Sequence, residues 1–138
     1  MEQLELRLPR IDEEQEFLRA HLATTPEVPN PFLFAFAGPR IVGRVSIRHE
    51  LNEFLLRIGG HIGYTVVPEF RRQGYATEIL RQSLEIVRLR FGLSRVLVTC
   101  DDDNLGSIRT IEKNGGVLEN LVSGPDLKPK RRYWIDAR

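Results

Sequence analysis

The chain has a single cysteine, Cys100, so no intrachain disulfide can form and nothing in its composition points to an oxidising compartment. Long hydrophobic runs are missing as well. No stretch approaches the roughly 18 consecutive apolar residues that a membrane span requires. Met1 to Arg10 lack a basic segment followed by an apolar run of signal-peptide length. The expectation is a cytoplasmic protein that does not insert into a membrane. An excess of one charge is absent too, with 20 Lys and Arg against 19 Asp and Glu and a formal net charge of +1. A long duplex usually draws a larger positive excess, so no nucleic acid is expected as partner and a small polyanion fits better. No internal repeat or low-complexity segment is visible.

What is present has the size and apolar content of one compact domain, expected over 1–138: 138 residues, 41% of them hydrophobic. Its charge is unevenly spread. Residues 1–30 carry seven acids against three arginines, whereas 71–95 carry six arginines against Glu78 and Glu85.

Leu4, Leu6 and Leu8 alternate with polar residues and predict a short strand ended by Pro9. Ile11, Phe17, Leu18 and Leu22, with acids in the first turns, predict a helix, and Pro26, Pro29 and Pro31 a loop after it. Phe32–Ala37 and Ile41–Ile47 predict a hairpin across Gly38-Pro39-Arg40. The block from Arg48 to Glu53 is too polar for a core and is expected to link that hairpin to a further strand pair ending at Val67. Within that pair, Gly59 and Gly60 mark a bulge or a close backbone approach. Ala76, Ile79, Leu80, Leu84, Val87 and Phe91 predict a helix over Tyr75–Phe91 stopped by Gly92. Val96-Leu97-Val98 reads as a strand buried on both faces. Ser107 is the expected N-cap of a short helix through Lys113, and Val117–Val122 with Arg132–Ile135 a final strand pair. The class is α+β: a mixed, mostly antiparallel sheet of about six to seven strands with about three helices, the long helix making one parallel crossover.

The most informative stretch is Val66-Val67-Pro68-Glu69-Phe70-Arg71-Arg72-Gln73-Gly74-Tyr75-Ala76-Thr77. It leaves a strand, turns at proline, offers two arginines and enters a helix through a glycine, where backbone N–H groups from about Arg72 to Thr77 lack partners. Such a start can seat a pyrophosphate. It is not a Walker loop, since no Gly-Lys-Ser/Thr follows, and the first glycine of the dinucleotide fingerprint is missing.

With Asn104-x-x-Ser107 and Glu112-Lys113-Asn114-Gly115 at their spacing behind it, this stretch resembles the GCN5-related N-acetyltransferase (GNAT) superfamily over roughly residues 30–138. The block from Arg48 to Glu53 with Gly59-Gly60-His61-Ile62-Gly63-Tyr64 is similar to a subgroup of predicted acetyltransferases. The resemblance implies acetyl transfer from acetyl-CoA, as co-substrate and without a metal, to a primary amine on a small molecule or peptide, by direct attack in a ternary complex. It implies that Arg71, Arg72, Gln73, Gly74, Tyr75, Ala76 and Thr77 hold the pyrophosphate. Val66 and Val67 would then line the pantetheine arm, with Asn104 and Ser107 approaching from the far side.

Many members carry a tyrosine just before the Glu-Lys pair to protonate the departing thiolate, whereas this chain has Ile111 there. Ser107, Tyr64 and Tyr133 are the substitutes available. For the base that takes a proton from the amine, His49, Glu50, Glu53 and His61 stand as candidates. The missing donor keeps a non-catalytic acyl-CoA-binding module as the alternative. Lys128 to Arg132 is expected to be a solvated hairpin shoulder. A short N-terminal part predicts an acceptor site that is open or is completed by a second subunit, a homodimer.

Overall fold

A computed structural model describes residues 3–7, 32–48 and 51–137. The predicted helix over 11–22, the loop after it, His49 and Glu50 lie outside the described residues. Seven strands, β1 (Leu4–Arg7), β2 (Phe32–Ala37), β3 (Arg40–Ile47), β4 (Ile62–Val66), β5 (Arg95–Asp101), β6 (Val117–Ser123) and β7 (Pro129–Asp136), accompany helices α1 (Tyr75–Phe91) and α2 (Leu105–Lys113). The strands form two antiparallel sheets, ordered β1-β2-β3-β4 and β5-β7-β6. α1 carries the chain from the last strand of the first sheet to the first strand of the second.

α1 buries Tyr75, Ile79, Leu80, Ser83, Leu84 and Val87, a stripe at three- and four-residue spacing. The stripe packs against Ala35, Val42, Val45 and Ile62 of one sheet and Val96, Val98, Tyr133 and Ile135 of the other. Each side chain removed from water there contributes about 1.5–3 kcal/mol. Side chains alternate across a strand. Val45 and Ile47 of β3, and Ile62, Tyr64 and Val66 of β4, therefore lie on the α1 side. Arg44, Ser46, Gly63 and Thr65 lie on the opposite side, at whose far end Phe34, Phe36, Ile41 and Val67 make a second cluster.

Three sequence expectations are corrected. The first strand of the predicted pair before Val67 is instead a helical turn closed by a π-type bond, Gly60 N–H to Leu55 O at 2.6 Å. Asn52 caps it, its Oδ1 accepting from Leu55 N–H at 2.8 Å. Leu51, Leu55 and Ile58 face inward at helical spacing while Glu53, Phe54, Leu56 and Arg57 are exposed. Side chains from distant strands satisfy its last carbonyls. Arg132 Nη2 donates to Leu56 O at 2.8 Å, Thr99 Oγ1 to Ile58 O, and Arg48 Nη1 to Gly60 O at 3.2 Å and Gly59 O at 3.4 Å.

The N-cap of α2 is Asn104, whose Oδ1 accepts from Ser107 N–H at 3.1 Å, so Ser107 sits inside the helix instead of capping it. The basic run is also no solvated shoulder. From Pro129 on it lies within β7, where Lys130 pairs with Asp101, Arg131 with Asp102 and Arg132 with Glu119, and only Lys128 stays exposed before the strand. Along β7 the alternation places Tyr133 in the core and Trp134 on the other side near His61. No helix among the described residues is long and apolar enough to cross a membrane.

Candidate functional site

The two sheets are hydrogen-bonded to each other at His61. His61 N–H donates to Leu97 O at 2.7 Å, and Leu97 N–H donates back, not to a backbone carbonyl but to His61 Nδ1 at 2.8 Å. An imidazole thus stands in for a backbone carbonyl where β4 and β5 join. The approach needs Gly60, which adopts φ +75° and whose missing Cβ would stand 2.6 Å from Leu97 O. Because Nδ1 accepts, Nε2 carries the proton, and burial pushes the His61 pKa below its ordinary value.

Beyond that rung the strands expose backbone. Val67 N–H bonds to Val42 O at 2.8 Å and Arg48 N–H to His61 O at 2.7 Å. Peptide groups alternate in direction along an antiparallel pair. Gly63 and Thr65 therefore face β3, and Ile62, Tyr64 and Val66 present N–H and C=O to the gap. Arg71 Nε reaches Val66 O from that side at 3.0 Å. On the other wall Leu97 bonds towards β4, and Thr99, two residues on, faces the gap in the same phase.

At the end of β4 one turn over Pro68–Phe70 leads into the start of α1. Arg72 adopts φ +63° and Gly74 φ +88°. The left-handed region costs a residue with a side chain about 1 kcal/mol, so Arg72 is held there by its surroundings. Left-handed positions of this kind are one way in which a chain can turn successive N–H groups towards an anion. No side chain caps the helix start. Arg71, Arg72, Gln73 and Gly74 are exposed and Ala76 and Thr77 half-buried, whereas the Tyr75 ring is buried edge-on against Phe70. Asn114 Nδ2 fastens α2 to this start, donating to Thr77 O at 3.2 Å and Thr110 O at 3.0 Å.

On the α1 side of the gap the Tyr64 hydroxyl is buried beside Ser107, Thr110 and Cys100, and no group makes a well-formed hydrogen bond to it. Burial raises its pKa. The Ser107 hydroxyl works against that, the Cys100 thiol adds to it, and the Thr110 hydroxyl again opposes it. Burial likewise pushes the Cys100 thiol up to about 11. Asn104 is exposed, and Ser107, beside the Tyr64 hydroxyl, is half-buried. Ile111 is wholly buried in the core, and Tyr133 is committed elsewhere: its hydroxyl donates to Glu112 Oε2 at 3.0 Å and accepts from Arg131 Nη1 at 3.0 Å. Glu53 is exposed on the helical turn. The structure thus brings together Tyr64, Val66, Ser107 and the Arg71–Thr77 start. Sequence reasoning missed the polar alternation Arg44-x-Ser46-x-Arg48 on the face away from α1, a signal that was there to be read as a period of two.

A family model described as an acetyltransferase (GNAT) domain matches residues 4–117. The chain is 36% identical over 74 residues to the "Uncharacterized N-acetyltransferase YjdG" of Bacillus subtilis (strain 168), covering 54% of this chain and 40% of that protein. It is 31% identical over 75 residues to YnaD of the same organism, also an uncharacterized N-acetyltransferase, covering 54% and 43%. The chain therefore spans about two fifths of the length of these curated relatives. Among solved structures, RimL, a ribosomal L7/L12 alpha-N-protein acetyltransferase in complex with coenzyme A, superposes with TM-score 0.71 at 18% identity, covering 98% of this chain and 96% of that one. A spermidine N-acetyltransferase SpeG chimera from Vibrio cholerae and hSSAT gives TM-score 0.72 at 14% identity over 98% and 96%. At such identities the likeness is one of fold, and it is the match of the family model over most of the chain, on the strand, turn and helix start described above, that carries the assignment: this chain belongs to the GNAT acetyltransferase family.

Proposed function

We propose that this protein moves an acetyl group from acetyl-CoA to a primary amine by direct attack in the gap between β4 and β5. The observation that carries this reading is the join of two features: a strand edge with unpaired peptide groups running into an uncapped helix start. An extended chain bearing amides at one end and a diphosphate at the other satisfies both. In this assignment the Arg72–Thr77 N–H groups and the Arg71 and Arg72 side chains take the pyrophosphate. Val66 and Val67 flank the pantetheine arm, Arg71 releasing Val66 O as the arm arrives, and Asn104 and Ser107 border it from α2.

The Tyr64 N–H, turned into the gap, polarises the thioester carbonyl and stabilises the tetrahedral oxyanion. The amine nitrogen bonds to the carbonyl carbon, the carbon–sulfur bond breaks, and the thiolate takes a proton from the Tyr64 hydroxyl, in place of the tyrosine that Ile111 replaces. His61 is assigned to the fold and not to proton transfer, because Leu97 N–H occupies the lone pair a base would need. His49, Glu50 and Glu53 are left to accept the amine proton.

Gly74→Trp tests the seat. A side chain at φ +88° beside the N–H groups should raise KM for acetyl-CoA about tenfold or more, a loss of about 1.4 kcal/mol or more, measured by thiol release with a reactive amine. An unchanged KM would sink the assignment. Should coenzyme A raise the melting temperature while no amine in a broad panel releases thiol, the non-catalytic binding module would replace the transferase.

A further inference from the structure

On the β4 face away from α1, Arg48 has no counter-ion among the described residues. Arg48 is half-buried, burial pulls its pKa down, and no carboxylate among the described residues acts against that pull. Its bonds are the two long ones from Nη1 to the Gly59 and Gly60 carbonyls. Three other arginines are paired closely with carboxylates: Arg81 with Glu78 and Glu85 at 2.6 Å, Arg131 with Asp102, Arg132 with Glu119. A guanidinium withdrawn from water with two neutral carbonyls and no carboxylate beside it keeps most of its charge uncompensated, which is costly, and leaves it able to take an anionic ligand.

The surroundings point the same way. Arg48 rests on Gly63, where a Cβ would stand 3.6 Å from both Nη1 and Nη2, so the strand is bare where the guanidinium lies. Gly63 is paired across the ladder with Ser46, which is 5% exposed and whose Oγ has no hydrogen-bond partner. A cation and an orphan hydroxyl therefore share one site, on the face opposite the Tyr64 side chain and α2. Gly63 also immediately precedes Tyr64, whose N–H is assigned to the thioester carbonyl. One strand residue advances about 3.3 Å, so a group held by Arg48 lies beside the reacting carbon.

We propose that the acceptor carries an oxyanion, a carboxylate or a phosphate, a few bonds from its amine, and that Arg48 and Ser46 receive it. The proposal rests on the transferase reading and adds the acceptor class. The planar guanidinium fork matches either oxyanion, and the Ser46 hydroxyl supplies a further donor. Acceptors with several cationic amines and no anion are disfavoured, since they place a second positive charge against Arg48.

The test compares amines of similar length: β-alanine, O-phosphoethanolamine, propylamine and spermidine, by thiol release from acetyl-CoA with kcat and KM separated, and by calorimetric binding in the presence of coenzyme A. The wild type should prefer the two anionic amines to propylamine by about tenfold or more. Arg48→Gln should bring that ratio close to one through KM, Arg48→Lys should restore part of it, and KM for acetyl-CoA should move little. Asn52→Ala, which loosens the same helical turn without touching Arg48, should lower the melting temperature and leave the ratio alone. Preference for β-alanine over O-phosphoethanolamine, or the reverse, tells carboxylate from phosphate. Equal or better use of propylamine or spermidine overturns the proposal. So does an Arg48→Gln variant that loses only thermal stability, or an Asn52→Ala variant that shifts the ratio as much. If no amine releases thiol, the transferase reading fails, and calorimetry still decides the oxyanion site: binding of β-alanine or O-phosphoethanolamine that Arg48→Gln abolishes supports it, and no such binding overturns it.

Discussion

Replacing Tyr64 by phenylalanine is expected to lower kcat by about 10²–10³-fold, the usual worth of a positioned proton donor, while leaving the melting temperature unchanged or slightly raised. The two halves of that result have one cause. The hydroxyl is buried without a well-formed hydrogen bond, so removing it deletes an unsatisfied polar group, and phenylalanine keeps the ring that packs against the α1 core. What disappears is the proton for the departing thiolate. Burial lifts the tyrosine above its ordinary pKa near 10, so the donor stays loaded across the neutral range. Wild-type kcat should show no alkaline decline below about pH 10. KM for acetyl-CoA should hold, since the Tyr64 N–H belongs to the backbone and survives the change. Single-turnover thiol release with saturating amine isolates the step. Turnover by Tyr64→Phe within a factor of about two of wild type would remove Tyr64 from the chemistry, and an equal loss in Ser107→Ala alone would move the donor to α2.

The features legible in the sequence are those whose cause is local. α1 is written in the spacing of Ile79, Leu80, Leu84 and Val87 and in Gly92, and the turn into its uncapped start in one run from Pro68 to Thr77. The turn over Leu55–Gly59 is not local in that sense. Its carbonyls are satisfied by Arg48, Thr99 and Arg132, residues up to 76 positions away, and no window around it contains them. The basic run misleads for the same reason: Lys130, Arg131 and Arg132 read as solvated until the register of β5 and β6 against β7 sets Asp101, Asp102 and Glu119 beside them. Asn104 and Ser107 are both good caps. Only the turn joining Asn104 N–H to Asp101 O at 3.1 Å decides that the helix starts at Leu105. His61 is the sharpest case. Its residue type suggests acid–base work, and its position commits the lone pair to Leu97.

His61→Ala should therefore act first on stability and only through it on catalysis. The substitution strands the Leu97 N–H in a buried place and empties the space between two strands, which together cost about 2–4 kcal/mol. In a domain of this size that is on the order of 10 °C in melting temperature. Asn is the diagnostic replacement, because its Oδ1 stands close to the position of Nδ1 and can accept from Leu97, and it should recover much of the loss.

Acid then separates the histidine from its mimic. The folded pKa of His61 is lowered by burial, so folding favours the neutral ring. The stability it contributes is fully present above the unfolded value of about 6.5 and is lost as pH falls below that value towards the folded pKa. A protonated ring carries hydrogen on Nδ1 and confronts the Leu97 N–H with a second donor, which forces the rung apart. Urea unfolding from pH 8 to pH 4.5 should show wild-type stability falling through the lower half of that range, with His61→Asn falling less steeply. Parallel acid slopes for the two proteins would mean that His61 is not what joins the sheets. If the slopes differ as expected, the width of the gap depends on one imidazole, and KM for acetyl-CoA in the wild type should rise over the same acid interval while that of His61→Asn stays flat.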